Sequence, residues 1–318
     1  MFSKQNNIVL FVGGVGGAKL AYGLYHTVPH DHLTIIVNTG DDFWHYGLRI
    51  CPDMDTVMYT LADLVDRDNG WGVADDTRQM LGMLQQYGES PWFGLGDKDL
   101  ATHLLRSQAL HAGKSLTEIS GHLTASLQIG CTILPMTDTF VSTMVDTVEY
   151  GEIGFQEYFV KYRWQPTVKA LRFSNIDQST ITPAVRSAIE TADTIIIGPS
   201  NPWLSIDPIM HIPGMQTLIQ GRHIPRLAVT PIVAGDALKG PAAKLMQEWG
   251  YAITASRVAK HYTSIINGFV YDIADANFDR TDLPENLRIK ALDTVMNTDE
   301  KRLTLASQLL TWTEELTQ

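Results

Sequence analysis

The stretch "LFVGGVGGAKLAYGL", residues 10–24, sets Gly13, Gly14, Gly16 and Gly17 between an apolar run and a segment of helical spacing, with Lys19 just behind them. Upstream, NIVLFVGG is apolar up to its glycines. Downstream, GAKLAYGLYH spaces Leu20, Leu24 and Tyr25 along one helix face, and LTIIVNTG follows as a second β-branched run. The stretch therefore opens a β-α-β unit. Strands buried on both faces read as unbroken apolar runs and belong to parallel sheets, and the same signature returns in TIIIGPSNP and RLAVTPIVAG. The expected fold class is α/β: a Rossmann-like, mostly parallel sheet in a single domain over residues 1–318. A helical insertion is expected over about 56–130, where DTVMYTLADLVD places Val57, Leu61, Leu64 and Val65 at helical intervals and helix-like segments recur near 76–87, 97–111 and 115–127. From about 131 to 173 the pattern alternates through CTILPMT, FVSTMVDTVEYG and FQEYFVKYR, with a turn signal at Tyr150-Gly151, and predicts an antiparallel meander.

Composition narrows the functional classes. With 44% hydrophobic residues the 318-residue chain has ample material for a buried core. No run of about 18 apolar residues occurs, and MFSKQNN leads into a strand without a cleavage-site pattern, so a cytoplasmic protein without a membrane partner is expected. Cys51 and Cys131 are too few for a disulfide framework or a zinc site, which directs metal chemistry towards oxygen ligands. The ten histidines include no H-E-x-x-H spacing, and no serine sits in a G-x-S-x-G elbow. A net charge of −11 disfavours nucleic acid.

The glycine stretch fails the familiar codes. A dinucleotide fingerprint begun at Gly14 needs glycine where Lys19 stands, and a P-loop needs Lys-Ser or Lys-Thr where Ala18 follows Gly17. What remains is general physics. A glycine turn lets a ligand approach the backbone, and the following helix offers free N–H groups to phosphate, with Lys19 in its first turn.

Next, NTGDDFWHYGLRICPDMDT holds Asp41, Asp42, Asp53 and Asp55. The first pair ends a predicted parallel strand and should open onto the same crevice as the glycines. Four acids beside a phosphate turn point to Mg²⁺, which takes one or two carboxylates plus phosphate oxygens. Asp42 and Asp55 are the expected metal ligands and catalytic acids, with Asp53 and Asp41 in reserve. Asp55 at a helix start also suits an N-cap. Two later turns, Gly198-Pro-Ser200-Asn201-Pro and Lys239-Gly240, also follow strands and offer donors to a nucleotide.

In chain order, GGVGGAKLAYGL, NTGDD, GLRICPDMDTVMYTL, GWG, WFGLGDKDLATHLLR, FQEYFVKYR, GPSNPWLSIDPI and KGPAAK resemble the CofD/FbiA family, the 2-phospho-L-lactate transferases of deazaflavin coenzyme F-420 biosynthesis. The resemblance runs to about residue 275. It implies attack by the ribityl 5′-hydroxyl of the deazaflavin Fo on a guanosine diphosphate ester of a three-carbon acid, releasing GMP and forming a phosphodiester. The acid is phospholactate, phosphoenolpyruvate or phosphoglycerate. The resemblance places the nucleotide along Gly14, Gly16 and Gly17, near GPSNP, and suggests Trp92 or Phe93, flanked by Asp97, as a stacking site for the deazaflavin, against core packing as the plain alternative. His261 and Tyr262 read as packing residues, and the leucines of the last helix, Leu303, Leu305, Leu309 and Leu310, as a closing helix or a homodimer support.

Two alternatives stay open at this level. A related nucleotide-sugar-binding regulator carries a DDGGSSG-type stretch where this chain has DDFWHYGL, and an NAD-dependent oxidoreductase lacks its third glycine here.

Overall fold

The computed structural model describes residues 6–237, 240–275 and 278–317. The predicted β-α-β unit is β1 (Ile8–Val12), α1 (Val15–Tyr25) and β2 (Leu33–Val37). A hairpin of β3 (Phe43–His45) and β4 (Leu48–Ile50) leads into α2 (Pro52–Leu61). The insertion supplies α3 (Gln79–Gln86), α4 (Asp99–His111) and α5 (Leu116–Ser126), followed by β5 (Thr132–Pro135). β6 (Ser142–Thr147), β7 (Gly151–Gly154) and β8 (Val168–Ser174) form a separate antiparallel sheet in the order β7-β6-β8. The chain then returns with β9 (Thr194–Ile197) and β10 (Arg226–Val229), a short ribbon of β11 (Ile232–Val233) and β12 (Asp236–Ala237), and finally β13 (Gly268–Asp272) and β14 (Arg288–Leu292).

Seven strands form the main sheet in the order β14-β13-β10-β9-β1-β2-β5, every pairing parallel. Successive side chains point to opposite faces. Leu10, Val12, Ile35 and Val37 enter one core, and Val9, Phe11, Ile36 and Ile197 the other. Helices cover both faces, which is why these strands lack polar alternation. From β1 the chain steps one way to β2 and β5 and the other way to β9, so the strand order reverses between β1 and β9. Ligands of open α/β sheets bind at such a reversal, outside the carboxyl ends of the strands.

Three local readings change. CTILPMT is not part of the meander: Ile133, Leu134 and Pro135 are consecutively buried, and β5 pairs parallel with β2 at the sheet edge. FQEYFVKYR is not a strand. Phe155, Tyr158, Phe159 and Tyr162 lie at i, i+3, i+4 and i+7, a helical spacing, and residues 157–161 wind as a π-helical turn with Phe155 stacked on Phe159. RLAVTPIVAG is two strands, because Pro231 cannot extend the ladder.

The closing helix Asp299–Thr317 spends its apolar face within the chain. Leu305, Ala306, Leu309 and Leu310 are buried against the core beside α1, where a Cβ on Gly23 would collide with the Arg302 carbonyl oxygen. This face is therefore not left over for a homodimer. Among the described residues no helix is long and apolar enough to cross a membrane.

Candidate active site

Gly13 and Gly14 leave β1 at the strand-order reversal, and the loop after β9 meets them. The Gly13 N–H donates to Ser200 Oγ at 2.9 Å. A Cβ on Gly16 would come within 2.5 Å of the Pro199 carbonyl oxygen, and one on Gly17 within 2.5 Å of Val12 Cβ. These glycines exist for close approach, and they bring the α1 N-terminus against the turn that holds Gly198, Ser200 and Asn201. Asn201 Oδ1 accepts from the Trp203 and Leu204 N–H groups, leaving its buried Nδ2 without a protein partner. Lys19 lies half-buried in the first turns of α1.

The acids converge from two directions. Asp41 and Asp42 follow β2, while Pro52 starts α2 and Asp53 and Asp55 occupy its first turn. At about 100° per residue, positions two apart on a helix face nearly opposite ways. Asp53 therefore turns to the glycines, so that a Cβ on Gly14 would lie 2.5 Å from its Oδ1, and Asn38 Nδ2 donates to its Oδ2 at 2.9 Å. Asp55 faces α4 and pairs with the buried Arg106 through both carboxylate oxygens.

Asp42 is likewise paired. Its Oδ2 accepts from Arg49 Nη2 at 2.8 Å, Arg49 Nε at 3.2 Å and Cys51 Sγ at 2.9 Å, while Oδ1 has no partner. Burial raises the Asp42 carboxyl and Arg49 opposes that rise. Arg49 returns to Asp42 because Tyr46 and Gly47 both have positive φ, 49° and 75°, the two-residue turn that closes β3 on β4.

Asp41 and Asp53 are the uncompensated pair. Burial, then the charge of Asp53, pushes Asp41 well above the usual carboxylate range, and its Oδ1 is buried without a partner. Burial lifts Asp53 to about 7, against the Asn38 hydrogen bond. The expected ligand pair Asp42 and Asp55 is thus found engaged with cations of the protein itself. Each already has a guanidinium, whereas Asp41 and Asp53 set two buried, interacting acidic groups beside the glycine turn. Two mutually repelling buried carboxylates with an orphaned oxygen fit a divalent cation.

A cleft of about 210 Å³ is lined by Gly40, Asp41 and Asp42, by Phe43, Trp44 and Trp92, and by Ser142 and Gly154–Glu157. Trp92 lies 5.8 Å from the Phe43 ring at 30° and 5.3 Å from His45. Phe93 packs edge-on to Phe43 behind it. The carboxylate of Asp97 accepts the Gln79 and Met80 N–H groups at 2.9 and 3.0 Å and caps the start of α3. Lys239 lies outside the described residues. Gly240 has a φ of 78° and opens the turn before the short helix Ala242–Glu248. His261 bonds Asp207 at 2.8 Å and Tyr262 is buried, as packing residues.

Asn38, Arg49, Cys51, Arg106 and Gln156, whose Nε2 donates to the Asp41 carbonyl at 3.3 Å, were not foreseen. The available signal was charge: among the four acids of residues 41–55 the sole cation is Arg49.

The family model for 2-phospho-L-lactate transferase CofD matches residues 8–309. A phosphoenolpyruvate transferase of Streptomyces griseus is 39% identical over 314 residues, covering 97% of this chain and 99% of the relative. A 2-phospho-L-lactate transferase of Methanococcoides burtonii is 37% identical over 303 residues, covering 95% and 96%. Among solved structures, a UPF0052-family protein of Bacillus halodurans superposes with a TM-score of 0.62 at 15% identity, over 97% of this chain and 99% of that one, a likeness of fold. With its fold, its glycine turn and its acids in the arrangement described, the chain belongs to the CofD family of 2-phospho-L-lactate transferases.

Proposed function

We propose that this protein transfers a phosphorylated three-carbon acid from its guanosine diphosphate ester to the 5′-hydroxyl of the deazaflavin Fo, releasing GMP and forming the phosphodiester core of coenzyme F-420. The observation that carries the reading is the uncompensated pair Asp41–Asp53 against the glycine turn. Phosphoryl transfer rests on positioning and charge neutralisation rather than on a covalent nucleophile, and this site offers both.

In this reading the α1 N-terminus and the loop Gly198–Asn201 hold the diphosphate and its nucleoside, Asn201 Nδ2 being a ready donor. Asp41 and Asp53 hold Mg²⁺, which neutralises the phosphate charge when bound. Fo enters the cleft with its ring system against Trp92 and Phe43, and the ribityl chain runs towards Asp41 and Asp42. The attacking oxygen forms its bond to the phosphorus that carries the acid, the bond to GMP breaks, and the proton passes to the free Oδ1 of Asp42. Arg49 and Cys51 hold the other oxygen of that carboxylate in place. Burial raises its carboxyl above the ordinary value, a direction that suits a proton acceptor.

The test is a set of parallel reactions of purified protein, Fo, Mg²⁺ and each of the three guanylated acids, with products separated by mass. A phosphodiester of Fo formed with one donor and lost on chelation supports the reading and names the acid. Failure of all three donors, with tight binding of a nucleotide sugar instead, overturns it.

A further inference from the structure

The insertion motif WFGLGDKDLATHLLR ends on Arg106, one of the largest fully buried side chains of the protein. Its Nη1 donates to Asp55 Oδ2 at 3.0 Å and to the Arg49 carbonyl at 3.3 Å, and its Nη2 grips Asp55 Oδ1. The adjacent Ser107 Oγ accepts the Arg49 N–H at 2.8 Å. One turn of α4 therefore holds both backbone groups of Arg49 and the carboxylate of Asp55.

These are the two arms of the acidic site. Asp55 stands two residues beyond Asp53 in the first turn of α2, and Arg49 holds Asp42, the neighbour of Asp41. We infer that Arg106 is a positioning residue: its guanidinium ties α2 to the β3–β4 hairpin and so sets the separation at which Asp41 and Asp53 share a divalent cation. The inference rests on the proposed metal reading of that pair.

The chemistry favours this over a mere structural ion pair. A buried ion pair is weak evidence for stability, since apolar side chains of like volume often serve as well. A planar fork with donors in two directions does what an apolar chain, or a lysine with one point charge, cannot. Asp55, Asp99 and His103 lie close enough together to embrace a metal ion. The guanidinium already fills that place, with Nη1 3.3 Å from His103 Nδ1, and His103 Nε2 lies 3.1 Å from Asp99. The cation of this cluster is Arg106, and on the proposed reading the metal belongs with Asp41 and Asp53.

The test uses full-length protein without donor or acceptor and titrates Mn²⁺ by electron paramagnetic resonance, with thermal melts alongside. Arg106→Met and Arg106→Lys are expected to weaken Mn²⁺ binding by about 10-fold or more, the scale of lost outer-shell support, and Ser107→Ala by a smaller factor in the same direction. In turnover with Mg²⁺, kcat falls in both Arg106 variants while KM for Fo stays within about threefold, as for a group that never touches the acceptor. Leu123→Ala, a core change on α5, lowers the melting temperature and leaves Mn²⁺ affinity unchanged. Folded Arg106→Lys and Ser107→Ala proteins that bind Mn²⁺ like the wild type overturn the inference, even where Asp53→Asn abolishes binding. Wild-type protein that binds no Mn²⁺, or Asp53→Asn protein that binds it normally, overturns the metal reading itself and the inference with it.

Discussion

Asp53 shows function set against stability at a single side chain. Its carboxyl is buried and lifted to about 7, chiefly by desolvation, whereas in the unfolded chain it titrates near 4. Between those values the folded protein holds the extra proton, so stability falls as pH rises through the window and the whole penalty is present above 7. Metal-free protein should therefore melt highest near pH 5 and lose stability towards pH 8, Mg²⁺ should restore the loss, and Asp53→Asn should flatten the slope. Melts across pH with and without Mg²⁺ check this; a metal-free melting temperature that rises from pH 5 to 8 contradicts it. Asp53→Asn should also lower kcat/KM by about 100-fold or more, read in the phosphodiester assay, because on the proposed reading a charged metal ligand becomes neutral. Gly16→Ala meets an immovable atom, the Pro199 carbonyl oxygen 2.5 Å from the new Cβ, and should destabilise the protein by about 1–3 kcal/mol in urea unfolding while weakening GDP binding. The glycines and all four aspartates were legible in the sequence. Their division into paired and unpaired acids was not, because the cations that decide it, Arg49 and Arg106, lie 7 residues from Asp42 and 51 residues from Asp55.

Among the elements, α2 and the β3–β4 hairpin determine which acids meet. The helix sends Asp53 and Asp55 to opposite sides, a consequence readable from the spacing once the helix is assumed to begin at Pro52. The hairpin was also readable, since Tyr46-Gly47 between FWH and LRI is a turn signal of the same kind as Tyr150-Gly151. Gly47→Val puts a β-branched residue at a φ of 75° and should cost about 1–3 kcal/mol. The strand pairing of Arg49 loosens with it, so kcat should fall although no substrate contact is removed; urea unfolding and steady-state kinetics report the two effects separately, and wild-type kcat in a destabilised variant would show that the hairpin does not position Arg49. The helices near 76–87, 97–111 and 115–127 fell where periodicity placed them, whereas the helix through Val57 ends at Leu61, leaving Leu64 exposed and Val65 bridged to Val73. The segment 155–162 did not, because alternation and a helical i, i+3, i+4, i+7 spacing coexist in FQEYFVKY, and burial of Phe155 and Tyr158 in the small third core favours the helical one.

For the molecule as a whole, the parallel α/β class follows from the four apolar runs IVLFV, LTIIV, TIII and RLAV, which a sheet covered on both faces buries. The strand order does not follow from any local pattern: β5 joins the edge after a long insertion, and β9 lands beside β1 after the antiparallel sheet. That order creates the crevice, since it puts the Gly13–Gly17 turn and the loop Gly198–Asn201 side by side at the reversal, with the acids from β2 and α2 closing one end. On the proposed reading a divalent cation sits between Asp41 and Asp53 with the nucleotide's phosphates on the α1 N-terminus. Anomalous scattering from crystals grown with Mn²⁺ and GDP locates that cation. One Mn²⁺ peak bound by Asp41, Asp53 and phosphate oxygens is expected; a peak at Asp55, Asp99 and His103, or GDP bound with no metal beside Asp41, rules the arrangement out.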